Sequence, residues 1–271
     1  MQASLERKQF AWQPLTPGGV AAFASARLGR LLLVQFIFAL LAAPAVVWFL
    51  YTAWFPVITE AISQLPPAGQ LRSSTLDWRG PSPEVLAANH FLALVVDLRH
   101  EGHARSPAHL AIEFGQRDVK VFSLLGFLAL PYPQHYRIAF NRVELTPWWG
   151  AWSPAILALA AGSLVLALML SWAALASLYS LPVWLVGLYG NRNLNLRASW
   201  RLAGAALMPG ALLMSATICF YGLHALDLVH VLGAATLHLV LGWAYLLLSP
   251  FWCPRHPAAA PRANPFLKPA A

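Results

Sequence analysis

Four long apolar runs and one polar stretch organise the chain. The runs cover Leu31 to Ile58, Pro154 to Gly190, Leu202 to Leu223 and Leu228 to Trp252, and none of the first two contains a charged residue. Crossing about 30 Å of hydrocarbon takes roughly 20 helical residues, so each run predicts a transmembrane helix. The second is longer than one crossing needs, since a helix over it would reach about 55 Å. It holds either two spans, or one span followed by a segment at the membrane surface or packed on the other helices. Ahead of the first run, "TPGGVAAFASARLGR" places Thr16 as a helix cap and Pro17 at the first helical position, which predicts a short surface helix. The first run has basic flanks and a small-x-small site at Ala43 to Ala45, but it continues well past that site. It reads as an uncleaved signal anchor.

The polar stretch between the first two runs reads mainly as β. "FLALVVDL" (91–98) is short, apolar and Val-rich, as a buried strand is. "HLAIEFG" alternates, with Leu110, Ile112 and Phe114 on one face; "QRD" then turns into "VKVFS". "YRIAFNRV" alternates again through Tyr136, Ile138 and Phe140. "SPEVLAANHF" opens on the capping-type Ser82 and predicts a short helix. The expected fold is thus an α-helical polytopic membrane protein with about four transmembrane helices and a small α+β extracytoplasmic domain between the first and second. Its parts are a cytoplasmic N-terminal segment with the surface helix (1–30), transmembrane helix 1 (31–58), the extracytoplasmic domain (59–149), a bundle of about three spans (150–252) and a cytoplasmic Pro/Ala-rich tail (253–271).

Composition agrees with that pattern. The chain is 59% hydrophobic and only 10% charged, whereas soluble domains carry roughly 45–50% apolar and about 25% charged residues. Twelve tryptophans suit a bilayer interface, where an indole meets both lipid and water. The net charge of +8 comes from scattered arginines without a Lys/Arg-rich run or a nucleic-acid motif, so nucleic acid is not an expected partner.

The same charge orients the spans. Arg7, Lys8, Arg27 and Arg30 precede the first run, Arg192, Arg197 and Arg201 lie after the second, and Arg255, Arg262 and Lys268 follow the fourth. If the second run crosses once, all of these share one side with a single acid, Glu6, and the positive-inside rule puts both termini in the cytoplasm. Two crossings would put the last two groups outside. The expectation is four spans, with Pro182 bending the helix where the second run leaves the membrane. The location expected is the bacterial cytoplasmic (inner) membrane, with membrane lipid and other membrane or envelope proteins as partners.

Three quoted segments carry a resemblance: "LVVDL", "RASWRLAGAALMPGALL" with its basic entry and internal proline, and "LGWAYLLLS". With the order of one span, an outer domain and then clustered spans, the chain resembles the bacterial membrane proteins grouped as domain of unknown function eleven-eighty-nine, some labelled maltodextrin-utilisation proteins. More loosely it is similar to Yip1-type bacterial membrane proteins. The resemblance covers roughly residues 20 to 252. It implies architecture, and it brings no catalytic residues with it.

Candidate chemistry concentrates in "DLRHEGHARSPAH", residues 97–109. A helical zinc motif needs histidines at i and i+4 so that both face one ion. Here His100 and His103 are three apart with Gly102 between them, and the segment runs into Ser106-Pro107, so a loop is expected. His100, His103 and His109, with His90 as a further ligand, are the metal candidates, set against a solvated turn. Asp97 is a candidate acid, with turn capping as the plainer role. "HALDLVH" brings His224, Asp227 and His230 to one turn, read either as a small polar site or as an interfacial turn. His238 lies within the fourth run, where an ionisable group is a functional hypothesis by default. The alternative is a neutral imidazole bonding a neighbouring helix. Pro209, Gly204 and Gly210 read as kinking and close-packing positions, and Gln35 as an interhelical hydrogen bond.

No catalytic residue and no cofactor is expected. Cys219 and Cys253 are both far from the polar stretch, which excludes a disulfide framework there and a Cys-rich zinc site. The reading is a non-enzymatic accessory or sensor protein whose outer domain binds a partner or ligand. A transporter or channel is disfavoured because no Asp, Glu, Lys or Arg lies inside the spans. A membrane enzyme would have to use the Asp97–His109 cluster.

Overall fold

The computed structural model describes residues 11–102 and 106–255. Four helices are long and apolar enough to cross a membrane: Leu28–Gln64, Arg142–Tyr189, Leu196–Gly222 and Leu228–Trp252. The chain is therefore built as a multi-pass membrane protein with a β-sheet region.

Helix α1 (Pro17–Ala22) begins as its sequence predicts, with the Thr16 hydroxyl accepting from the Gly19 amide at 3.1 Å and proline in the first turn. One side of it packs inward. Val20 and the following Phe23 are fully buried. The first span is made of α2 (Leu28–Phe49), a π-helical turn (Leu50–Trp54) and α3 (Phe55–Gln64). Pro56 has no amide hydrogen to return to Thr52, and the helix widens by one turn just before it.

The second run is one unbroken helix, α4 (Arg142–Tyr189), of 48 residues. One helix crosses once, and at about 72 Å it is more than twice as long as a bilayer core is thick. It continues through Pro182, the expected bend, to Tyr189. The third run divides into α5 (Leu196–Ala206) and α6 (Met208–Gly222), interrupted at Leu207 two residues before Pro209. The fourth is α7 (Leu228–Leu248), closed by a 3-10 turn at Ser249–Trp252.

Eight strands lie among the described residues: β1 (Gln70–Arg72), β2 (Thr75–Asp77), β3 (Glu84–Ala88), β4 (Leu92–Val96), β5 (Leu110–Phe114), β6 (Asp118–Ser123), β7 (Gly126–Pro131) and β8 (Arg137–Ala139). The smaller sheet has the order β2-β1-β8 and the larger one β3-β4-β5-β6-β7. All pairs are antiparallel except β4 with β5. Parallel neighbours need a crossover of roughly a dozen residues. Residues 97–109 are that crossover, and the polar cluster of the sequence is the link that lets β5 run the same way as β4.

The segment at 82–91 corrects an expectation. It is strand β3, paired antiparallel with β4 through a register shift between Val85 and Ala87, and not a helix. Glu, Leu and Ala favour helix locally, but pairing with β4 satisfies the backbone and buries Leu86 and Ala87. The polar stretch consequently contributes strands, and the helix that packs on them is α3, the continuation of the first span. Val57, Ala61 and Leu65 of α3 meet Leu86, Leu92, Leu94 and Val96 in one core, joined by Leu110, Ile112 and Phe114. The register Leu92↔Leu110, Leu94↔Ile112 and Val96↔Phe114 puts these side chains on a single sheet face.

The chain forms two compact units. One comprises Leu40–Leu166 and Met214–Ala234, and holds both sheets. The other comprises Met1–Ala39, Ala167–Leu213 and Ala235–Ala271. Helix α5 is the centre of the second: Leu202, Ala203, Ala205 and Ala206 are all fully buried. Small side chains there allow close approach, and the Gln35 amide donates to the Gly204 carbonyl at 3.1 Å, the interhelical bond expected of it. Arg201 reaches the Ala26 carbonyl at 2.8 Å, and the Tyr245 hydroxyl the Leu15 carbonyl at 2.6 Å.

Candidate functional site

The described candidates of the 97–109 segment, Asp97, His100 and His109, meet different partners. Asp97 is buried at 2% exposure, and its carboxylate accepts from the amides of Arg99 at 3.3 Å and Gly102 at 3.0 Å. It closes the turn that leaves β4. Two residues of this turn, His100 and Gly102, have positive φ, 56° and 72°. Glycine takes that conformation freely, while a non-glycine residue pays roughly 1 kcal/mol and needs partners to hold it there.

His100 has such partners. Its Nδ1 faces Glu113 of β5 in a very short contact, and its Nε2 lies 2.8 Å from Asp118 of β6. Both nitrogens meet carboxylates, so the doubly protonated imidazolium satisfies the pair best. Burial is the largest influence and acts to lower the His100 pKa, and Lys120 adds to it. The hydrogen bonds from Glu113 and Asp118 outweigh both, and the net pKa lies above the ordinary 6.5. The ring fits only because residue 115 is glycine, where a Cβ would overlap it. The Tyr132 hydroxyl donates to the Gly115 carbonyl at 3.0 Å, and burial raises its own pKa. His100 is thereby a clamp across two strands. With both nitrogens engaged, it offers no free atom to a metal or substrate.

His109 goes elsewhere. It stands at the entry to β5, where its Nδ1 meets the Tyr221 hydroxyl of α6 at 2.5 Å and the rings stack at 5.7 Å. His90 lies edge-on to it at 4.2 Å between centroids, and His224 is 5.4 Å from His90. Phe91 packs against Tyr221 at 4.9 Å and against His224 at 4.9 Å. Burial lowers the His109 pKa first, and the neighbouring His90 lowers it further against a smaller opposing effect of Asp227. The neutral ring therefore accepts from Tyr221. Asn89 positions this corner: its oxygen accepts from the amides of Phe91 and Leu92 at 2.9 Å, and its nitrogen donates to Ala53 in the π-helical turn at 2.6 Å.

Beside the His109–Tyr221 pair opens a cleft of about 330 Å³. Phe49, Trp54 and Phe91 form one side, Leu124 and Leu125 the tip of the β6–β7 hairpin, and Leu228 and Leu232 the start of α7. The lining is apolar except at His109, Tyr221 and Ser123. Such a space suits the apolar body of a ligand, with the imidazole–phenol pair to fix one polar group.

The remaining candidates fall into separate places. His103 lies outside the described residues. Asp227 caps α7, accepting from the His230 amide at 2.9 Å and facing its ring at 2.7 Å; these bonds lower its pKa. His238 rests against Gly210, where a Cβ would collide with the imidazole, so Gly210 is a close-packing position as expected. Pro209 opens α6 next to it. No group of three His, Cys, Asp or Glu placed to hold a metal ion occurs among the described residues. Sequence reasoning missed Tyr221, Phe49, Trp54, Leu124 and Leu125. Tyr221 had one available signal, a phenol at the end of an apolar run three residues before His224.

Comparison with family models, with curated proteins and with solved structures finds no match.

Proposed function

We propose that this is a non-enzymatic accessory protein of the bacterial cytoplasmic membrane, with both termini in the cytoplasm and the sheet region outside. In this reading the sheet region binds a ligand with an apolar body, or the apolar segment of an envelope partner. The cleft between the β6–β7 hairpin and α7 carries the proposal, because it pairs an apolar lining with one engaged polar pair. The distribution of basic residues supports the orientation. The occupied nitrogens of His100 and the turn-capping role of Asp97 weigh against an enzyme built on the 97–109 segment. The proposed layout is also the one implied by the resemblance to the eleven-eighty-nine family.

Native mass spectrometry of the protein released from mild detergent tests this. The expected result is an amphiphile retained by the parent chain and lost from Leu232→Trp, which fills the cleft from an exposed position of α7. Equal spectra for the two proteins, with no retained molecule and no copurifying envelope protein lost on substitution, would sink the reading.

A further inference from the structure

The β6–β7 hairpin is built against the usual rule for a sheet edge. Exposed edge strands are normally blunted by charge, proline or a covering segment, because their free backbone invites pairing. Here Leu124, Leu125, Phe127, Leu128 and Leu130 are between 48% and 87% exposed, no charged residue occurs from Val121 to Gln134, and β7 carries its proline only at the end away from the tip, at Pro131. Both faces are apolar near the tip. The register pairs Phe122 with Phe127 on one face, rings 5.8 Å apart, and Val121 with Leu128 on the other. An edge that receives a protein strand needs its backbone free, but it does not need leucines on both faces and at the turn.

The surroundings of the tip indicate what covers it. Leu124 and Leu125 line the same cleft as Leu228 and Leu232, which lie in the first turns of a helix apolar enough to cross the membrane. The tip thus lies beside the first turns of a helix long and apolar enough to be a span. We propose that the hairpin tip, residues 122–128, inserts into the lipid leaflet next to the sheet region. The free edge of β7 limits the depth, because unpaired amides and carbonyls are costly in hydrocarbon. The strands stay among the headgroups and the tip side chains reach the upper acyl chains. This insertion holds whichever ligand the cleft takes, and it is tested without one.

The experiment uses the full chain, one copy per lipid nanodisc. Cys219 and Cys253 are replaced by Ala, and an environment-sensitive fluorophore is attached at Leu125→Cys or, as control, at Ser73→Cys in the exposed β1–β2 turn. Spin-labelled lipids carrying the quencher near the headgroup or at the tail end are then added to the disc. The expected result is a blue-shifted label at 125, quenched several-fold more than at 73 and most strongly by the shallow quencher. Quenching at 125 no greater than at 73 overturns the proposal. So does ready 125–125 cross-linking in discs of two copies together with an unquenched label, which would make the tip a contact between copies. If the cysteine-free chain does not fold, a fluorescent amino acid placed at 125 in the otherwise native chain reads the same quenching.

Discussion

Strands β4 and β7 belong to one sheet and have nearly the same chemistry, Leu-Ala-Leu-Val-Val and Gly-Phe-Leu-Ala-Leu-Pro. Every residue of the first is buried and every residue of the second is exposed. The difference lies in their neighbours. β4 is paired on both sides, and its Leu92, Leu94 and Val96 face α3. β7 is the last strand of the sheet. Apolar content marks a strand that seeks cover, but protein supplies the cover in one case and, by the proposal above, lipid in the other.

The largest effect expected separates these strands directly. Leu92→Ala should cost about 2–5 kcal/mol, as buried leucines do, while Leu128→Ala should stay within about 0.5 kcal/mol in detergent, as exposed positions do. Denaturant unfolding of the two variants measures both. A cost at 128 equal to that at 92 would mean that protein covers β7 as well, and the contrast would collapse.

Next in size is the packing that holds α3, the cover of β4. Trp149 of α4 packs at a tilt against Phe55, centroids 4.8 Å apart, and donates to the Thr59 hydroxyl at 2.9 Å, whereas Trp148 is 49% exposed. Full removal of a buried aromatic costs about 3–5 kcal/mol, so half-buried Trp149→Ala should cost about 2 kcal/mol and Trp148→Ala well under that. Limited proteolysis of the sheet region should be faster in the first variant alone. Equal rates would show that the pair acts as a surface belt and does not brace α3.

A smaller effect is expected at His100, which ties β5 to β6 between the buried and the exposed strand. His100→Ala leaves the buried Glu113 without its partner and should cost roughly 1–3 kcal/mol. Tyr221→Phe removes a single hydrogen bond from His109 and should cost about 1 kcal/mol.

The pH dependences of the two histidines have opposite signs. The His100 pKa is raised above 6.5, so its stabilisation is complete below pH 6.5 and is lost as pH rises through the folded-state value. The His109 pKa is lowered, so its contribution is complete above pH 6.5 and is lost as pH falls towards the folded-state value. Unfolding of each single variant across pH 5 to 8 should flatten opposite limbs of the parent's profile. Flattening on the same limb would show that the two rings share one electrostatic environment.

Much of this layout is legible from local signals. The four span-length helices follow from run length and, for the over-long second run, from the placement of the basic residues; the Thr16–Pro17 helix start and the Gln35 hydrogen bond follow from single residues whose chemistry leaves few options. Strands β4, β5 and β6 follow from apolar runs and alternation. The strand at 84–88 escaped because its residues favour helix and only pairing with β4 overrides that preference. β7 escaped because its residues do not alternate, both faces being apolar. The cleft was invisible because its walls come from the first span, the β3–β4 turn, the entry to β5, the hairpin tip, the end of α6 and the start of α7, most of which are far apart in sequence.

The segment "DLRHEGHARSPAH" shows where the boundary falls. The sequence by itself determined that it is a loop, since Gly102 and Ser106-Pro107 break a helix and the histidine spacing misses the two-ligand face. Only the tertiary structure decided what each side chain does. A crossover between neighbouring parallel strands has to run back the length of a strand, so its ends lie beside different elements: Asp97 on its own turn, His100 on Glu113 and Asp118, His109 on Tyr221. Proximity along the chain set the composition of this stretch, while strand direction distributed its chemistry.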